Sequence, residues 1–228
     1  AFMAATLSSD MDVTDTVKVF HDDAVANGLR ILGPDVNSSA YRFTPVDRGT
    51  IRYGLGAVKG TGEQAVNAIL RAREADGPFH DLFDFCRRAD KRLVNRRTIE
   101  ALIRAGAFDS LDPHRARLLA SVGIAIEAAE QAERNAMQAS LFDLFEVSEQ
   151  GGEHGPSYVE VPRWSERQQL NEEKLALGFY FSGHPFHAVQ AEVSRFVRKP
   201  LAALEARKET QFLAGLVVGV RSKITARG

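Results

Sequence analysis

The spacing of apolar positions predicts a chain of helices interrupted once, near its start, by a short β-like section. Val13, Val17, Phe20, Val25 and Leu29 recur at a roughly helical interval. They predict a helix over 10–29, with Asp10, Asp12 or Asp15 as its cap and Gly28 at its end. Pro34 bars helix continuation through Gly33–Asn37, which reads as a turn or extended link. Two β-like runs follow, 40–44 and 50–55, with Pro45–Gly49 as the turn between them. Helical spacing returns over 62–75, where Ala65, Val66, Ile69 and Leu70 share a face, and continues over 79–89, 95–106 and 113–136. Asn95 is placed to cap the third of these, and Asp112 before Pro113 fits a cap followed by proline in the first turn. Leu118, Leu119, Val122, Ile126 and Ala129 form the stripe of the last.

Residues 146–162 break the pattern, with 146–156 acidic, glycine-containing and nearly without apolar side chains, which predicts a linker. A further helix is expected over 165–177, capped by Ser165 and broken by Gly178–Pro185. Phe212–Val220 reads as a strand and 223–228 as the opening of a hairpin. No repeat of solenoid period is present. The expected fold class is mainly α with minor β.

Composition narrows the class without choosing a function. The chain has 228 residues, 44% of them hydrophobic and 26% charged, enough apolar material for a core. No run approaches the roughly 18 apolar residues of a membrane span, so no membrane partner is expected. The first ten residues lack the basic and apolar regions of a secretory signal, and the absence of an opening Met fits an excised piece. A single cysteine, Cys86, suits a reducing cytoplasm, where the chain is expected to reside.

The net charge of −1 hides a segmental pattern: −2 over 1–58, +3 over 59–117, −7 over 118–175 and +5 over 176–228. Nucleic acid would meet the basic blocks, because lysine and arginine near phosphate release condensed counterions. Such runs are also what an ordinary solvated face carries.

The segment Tyr53–Leu70 is the most informative, and it admits three readings. Gly54, Gly56 and Gly60 between a strand-like run and a helix suggest a dinucleotide site, but 79–136 read as helical and supply no βαβ continuation. A P-loop fails for want of Gly-Lys-Ser/Thr. The second reading is a helix-hairpin-helix: Val58, Gly60-Thr61-Gly62, then Ala65 and Ile69. There the glycines allow a tight turn and close approach of backbone to phosphate. Their amides and those opening the next helix point at phosphate oxygen, and Lys59 adds a mobile charge. Thr61 stands where such hairpins more often have an aliphatic residue. The third reading is a plain glycine connector. A second candidate unit follows, with 95–106 as first helix, Ala107–Asp112 as connector and Pro113 onward as second helix. Arginines and lysines surround it, among them Arg96, Arg97 and Arg115. His114 is a candidate phosphate contact or a helix cap.

Several ordered blocks resemble the alpha subunits of bacterial DNA polymerase III, the replicative C-family DNA polymerases. They are Phe2–Asp10, Gly33–Ser38, Tyr53–Glu63, Leu93–Arg97 with Gly106–Asp109, and Leu177–Pro185. The resemblance implies the C-terminal end of the fingers over 1–55 and a tandem helix-hairpin-helix region over 56–136. It further implies a clamp-binding motif and acidic linker over 137–163, a helical connector over 164–207, and the first strands of a truncated OB-fold over 208–228. Duplex DNA would be held by Lys59, Gly60, Thr61, Gly62, Arg96, Arg97, His114 and Arg115. Gln138-Ala139-Ser140-Leu141-Phe142 resembles the family's sliding-clamp pentapeptide, in which Gln138 would bond the pocket rim while Leu141 and Phe142 fill its floor. Partners are thus duplex DNA, the clamp (beta subunit) and other replicase subunits. The family's catalytic aspartates and their Mg2+ belong to a palm upstream, so this segment is expected to carry no catalytic residue, metal or cofactor and to be inactive alone. Two alternatives share the hairpins: the error-prone paralogue of the same polymerase and a non-enzymatic helix-hairpin-helix adaptor of DNA repair.

Overall fold

A computed structural model describes residues 1–142, 157–197, 199, 203–206 and 208–217. They form two units, Ala1–Phe181 and Ser182–Gly228. The fold is mainly α with a small sheet. The first helix, α1 (Phe2–Ser9), is a separate element that apolar spacing did not reveal, because its Ala- and Ser-rich sequence has almost no amphipathic contrast. Next, α2 (Thr14–Ala26) begins after Val13 rather than at an aspartate, and no side chain caps it. Gly28 ends it at φ 80.

Three short strands follow: β1 (Arg30–Leu32), β2 (Thr44–Pro45) and β3 (Thr50–Arg52). β2 and β3 pair antiparallel, Thr44 opposite Arg52, as the hairpin reading requires. β1 joins β3 in parallel, Ile31 opposite Ile51. A three-residue strand is too short to show a two-residue period, which is why β1 escaped the sequence reading.

The helical part comprises α3 (Glu63–Asp76), α4 (Leu82–Arg88), α5 (Arg96–Arg104) and α6 (Arg115–Phe142), followed by α7 (Glu166–Leu177). Asp81, Asn95 and Ser165 cap α4, α5 and α7 by accepting from the amides of Asp84, Thr98 and Gln168. α5 ends in a Schellman turn: Gly106 at φ 84 donates to Ile103 O, and Ala107 donates to Leu102 O at 2.9 Å. One apolar core runs from Leu7 and Val17 through Tyr53, Ile69, Phe85 and Leu102 to Leu118 and Leu177. Phe79, Phe85 and Phe108 stack edge to face through its centre, with centroids 4.9 Å apart at each step. Burial of three such rings contributes well beyond their area alone.

After the segment outside the described residues, the chain returns onto α4 and α6. The Tyr158 ring lies against Phe83 and beneath Arg117, and Val159 N–H donates to Ser121 Oγ. In the second unit, α8 (His187–Val193) is short; apolar spacing does not single it out, and it falls within the span 164–207 expected as a helical connector. Residues 211–217 carry no strand; a strand exists only through pairing, and no described segment pairs with them. The rest of the expected strand and the 223–228 hairpin lie outside the described residues. Among the described residues, no helix is long and apolar enough to cross a membrane.

Candidate nucleic-acid interface

The Gly60–Gly62 hairpin sits between a one-turn 3₁₀ segment (Leu55–Ala57) and α3. Gly60 lies at φ 85, in the left-handed region that favours glycine, and a Cβ at Gly60 or Gly62 would meet nothing within 4 Å. The loop therefore faces open space. Gly62 is the N-cap of α3 (φ −74, ψ 156) and offers no side-chain acceptor. Helices α4, α5 and α7 each satisfy a first-turn amide with a cap side chain, whereas α3 leaves its first-turn amides without one. The Gly60 and Gly62 amides likewise find no protein acceptor among the described residues. Unpaired donors at a helix start, reinforced by the helix dipole, form an anion-binding arrangement.

A second helix start lies beside the first. Thr98 Oγ1, in the first turn of α5, donates to Gly60 O at 3.4 Å. Arg96 and Arg97 open the same helix, with the Arg96 guanidinium turned toward Gly123 of α6. Arg96 is exposed and pairs with Glu100 at 2.8 Å, an exposed contact that phosphate can displace. Arg97 is exposed and makes no ion pair among the described residues. Lys59 is also exposed. Its backbone N–H donates to Ala176 O at 2.8 Å, and its Nζ lies beside Gly178, at the C-terminal end of α7.

Three residues expected at the DNA surface are placed differently. Thr61 is buried, and its hydroxyl turns inward to the carbonyls of Leu55 and Val58, each at 2.6 Å. Here the hydroxyl acts as a clasp inside the hairpin, a role an aliphatic residue could not take. Arg115 is only 7% exposed. It grips Asp109 through Nε and Nη2 and reaches Glu173 through Nη1 at 2.8 Å. Those two carboxylates outweigh the cost of burial and raise its affinity for its proton. So enclosed a guanidinium is a structural group. His114 Nδ1 accepts the Arg117 N–H at 3.1 Å and caps α6, the position that Asp112 was expected to fill.

Asp112 instead binds the His114 amide and the Arg117 guanidinium. Burial opposes its ionisation, but these two donors prevail and hold its carboxyl below the usual range. The second connector is therefore an acidic loop with its arginines turned back onto it. Arg88 is consumed as well, donating to Asp84 and to the carbonyls of Ala72, Gly77 and Pro78.

Side chains of Gln138, Leu141 and Phe142 lie outside the described residues. The backbone continues as α6 through Phe142. The last core contact of this helix is Ala129, and every residue from Glu130 to Ala136 is exposed. Among the described residues, no group of three or more His, Cys, Asp or Glu side chains could hold a metal ion. The open loop accordingly offers backbone amides and Lys59 as a candidate anion-binding surface, with the exposed Arg96 and Arg97 opening the neighbouring helix.

This geometry defines a class. Residues 28–118 match the family model described as helix-hairpin-helix motif. The likeness extends to the rest of the chain. It is 48% identical over 227 residues to DNA polymerase III subunit alpha of Neisseria meningitidis, covering all of this chain and 19% of that protein. The same-named proteins of Vibrio cholerae and Escherichia coli K12 are 44% and 42% identical over 233 residues, again over the full chain and 20% of each relative. Along its whole length the chain is thus similar to a segment of DNA polymerase III alpha subunits, and it spans about one fifth of their length.

Proposed function

We propose that this chain grips duplex DNA by its phosphates, without reading sequence, within a replicative DNA polymerase. The observation that carries the reading is the convergence of two helix starts on an open glycine loop. Gly60 and Gly62 present amides with no protein partner among the described residues, the α3 start adds its own, and Lys59, with the exposed Arg96 and Arg97 of the neighbouring helix, supplies charge. Such contacts fix the position of a duplex and carry no base information. Template-directed synthesis belongs to the whole polymerase; the segment itself holds DNA and is inactive alone. Replacing Lys59 with Glu should weaken binding equally for unrelated duplexes and reduce the slope of log affinity against log salt by about one. A loss that depended on DNA sequence would refute the phosphate account.

A second surface extends the reading to the sliding clamp. The pentapeptide Gln138–Phe142 occupies the end of α6, beyond seven consecutive exposed residues, Glu130–Ala136. That the helix has already left its core by Glu130 supports reading the motif at its end as an anchor for a partner. Leu141 and Phe142 are the apolar anchors and Gln138 the rim contact. Replacing Leu141 and Phe142 with Ala should abolish binding in a titration with the clamp; unchanged affinity would overturn the docking assignment.

A further inference from the structure

We propose that helix α7 and the acidic second connector position the glycine hairpin for phosphate, with Glu173 as the central positioning residue; this rests on the phosphate-gripping reading above. The connection is short. Arg115 joins Asp109 on the connector to Glu173 on α7, and Glu173 is 1% exposed. Arg104 on α5 adds a second tie to α7 through Glu172 at 2.8 Å. Together these contacts fix the register of α7 against α5 and the start of α6. Three residues beyond Glu173, Ala176 O receives the Lys59 N–H, immediately before Gly60. Gly178, at φ 88, has no side chain, and a Cβ there would collide with Thr14 Cγ2 and stand 2.9 Å from Lys59 Nζ. The close approach of α7 to the hairpin therefore depends on glycine at that position.

The reason this matters lies in the peptide planes. Each peptide unit is rigid, so pinning its N–H or C=O fixes the whole plane. The Val58–Lys59 plane is held at both ends, by Thr61 Oγ1 on its carbonyl and by Ala176 O on its amide. The Gly60–Thr61 plane is held at its amide by Val58 O and more loosely at its carbonyl, where the Thr98 hydroxyl at 3.4 Å is shared with Asn95 Oδ1. Between them lies the Lys59–Gly60 plane, which carries the Gly60 amide. Glycine on its own would let that amide sample many directions. Two pinned neighbours aim it before DNA arrives, which lowers the ordering cost of binding. One of the four pins comes from α7. The buried Arg115–Glu173 pair thus specifies a geometry, the use for which buried ion pairs are best suited.

The test uses the chain with Glu173→Gln, which keeps the shape of the side chain but removes its charge. Glu172→Gln, at a half-buried pair, serves as a milder second variant should the first not fold. Three quantities are measured: the amide resonances of Lys59, Gly60 and Gly62, affinity for a short labelled duplex, and Tm. Positioning by α7 predicts shifted or broadened Gly60 and Gly62 resonances and several-fold weaker DNA binding in a chain whose helical content is intact. In a Gly62→Asp background, where the phosphate site is already blocked, Glu173→Gln should cost no further affinity. A lower Tm with unmoved Gly60 and Gly62 resonances in the folded variants would overturn the proposal, leaving α7 as ordinary packing. If Gly62→Asp alone left DNA binding intact, the phosphate reading would fall, and the resonances would still decide whether α7 positions the loop.

Discussion

Replacing Gly62 with Asp should make the chain more stable and remove most of its grip on DNA. Gly62 already has the extended backbone of an N-cap, φ −74 and ψ 156, which any residue adopts, and a Cβ there would touch nothing within 4 Å. An aspartate would enter without strain and accept an amide from the first turn of α3. Asp exceeds Gly as a cap by only a few tenths of a kcal/mol, and a carboxylate at a helix start adds about 0.3–1 kcal/mol through the dipole. The expected gain is about 0.5–1 kcal/mol, read as a higher urea midpoint.

For DNA the same carboxylate is an obstacle. It occupies the donors that phosphate would use and repels the phosphate itself. Loss of one hydrogen bond to a charged group costs about 1.5–3 kcal/mol, or about 10- to 100-fold in affinity. Removing one phosphate contact also lowers the salt slope by about one. Fluorescence anisotropy of a labelled duplex across a salt series, run beside the urea titration, measures both effects. A variant that gained stability yet bound DNA with unchanged affinity and slope would refute the placement of phosphate at this loop. One that lost stability would refute the cap geometry.

Arg115→Ala should destabilise the chain by several kcal/mol, because it removes a buried guanidinium that bonds both Asp109 and Glu173; thermal unfolding checks this, and a folded variant of near-parent Tm with weaker DNA binding would instead make Arg115 a phosphate contact. Asp84 gives a pH prediction. Burial opposes its ionisation, but the His80 amide with Arg88 and Arg87 prevails and holds its carboxyl below the usual 3.8. With the folded value depressed, the stabilisation is complete above the unfolded value and is lost as pH falls through the folded one. The urea midpoint should therefore drop below about pH 4, and Asp84→Asn should lower it at neutral pH while flattening that acid limb. An acid limb as steep as the parent's would assign the loss to other carboxylates.

The elements legible in the sequence were those with a local signal. Asn95 and Ser165 announced their helices because a cap is a short-range chemical event, and Gly28 and Gly178 announced helix ends because their backbone goes where other residues resist. The runs 40–44 and 50–55 could be paired from the turn between them, though the ladder itself is only Thr44–Pro45 with Thr50–Arg52, whereas β1 could not, since a parallel partner is chosen by tertiary packing. In the candidate site, Lys59, Gly60 and Gly62 were legible as a basic glycine loop before a helix, whereas Arg96 and Arg97 read with the second unit. That Thr98 brings the two helix starts together was not, because the contact joins residues far apart in sequence. Glu173 did leave a trace: it lies on α7 among Leu170, Ala176 and Leu177, all buried. A carboxyl group on an apolar face needs a partner there, and Arg115 is the one the structure supplies.

The two connectors share an outline and differ in chemistry. Each follows a turn and leads into a helix, and each is accompanied by basic residues. From Tyr53 to Gly62 there is no carboxylate, so nothing inside that loop competes with phosphate for its amides. From Ala107 to Asp112 there are two, Asp109 and Asp112, and the arginines that follow at 115 and 117 bind back to them. A phosphate approaching the second connector would have to displace the bidentate Asp109 carboxylate from the buried Arg115, at the cost of drawing that arginine away from Asp109 and Glu173. At the first it displaces only water and an exposed Arg96–Glu100 contact. The decisive quantity is therefore the number of acidic groups within reach of each arginine, since an arginine already satisfied by its own loop has little left to offer DNA.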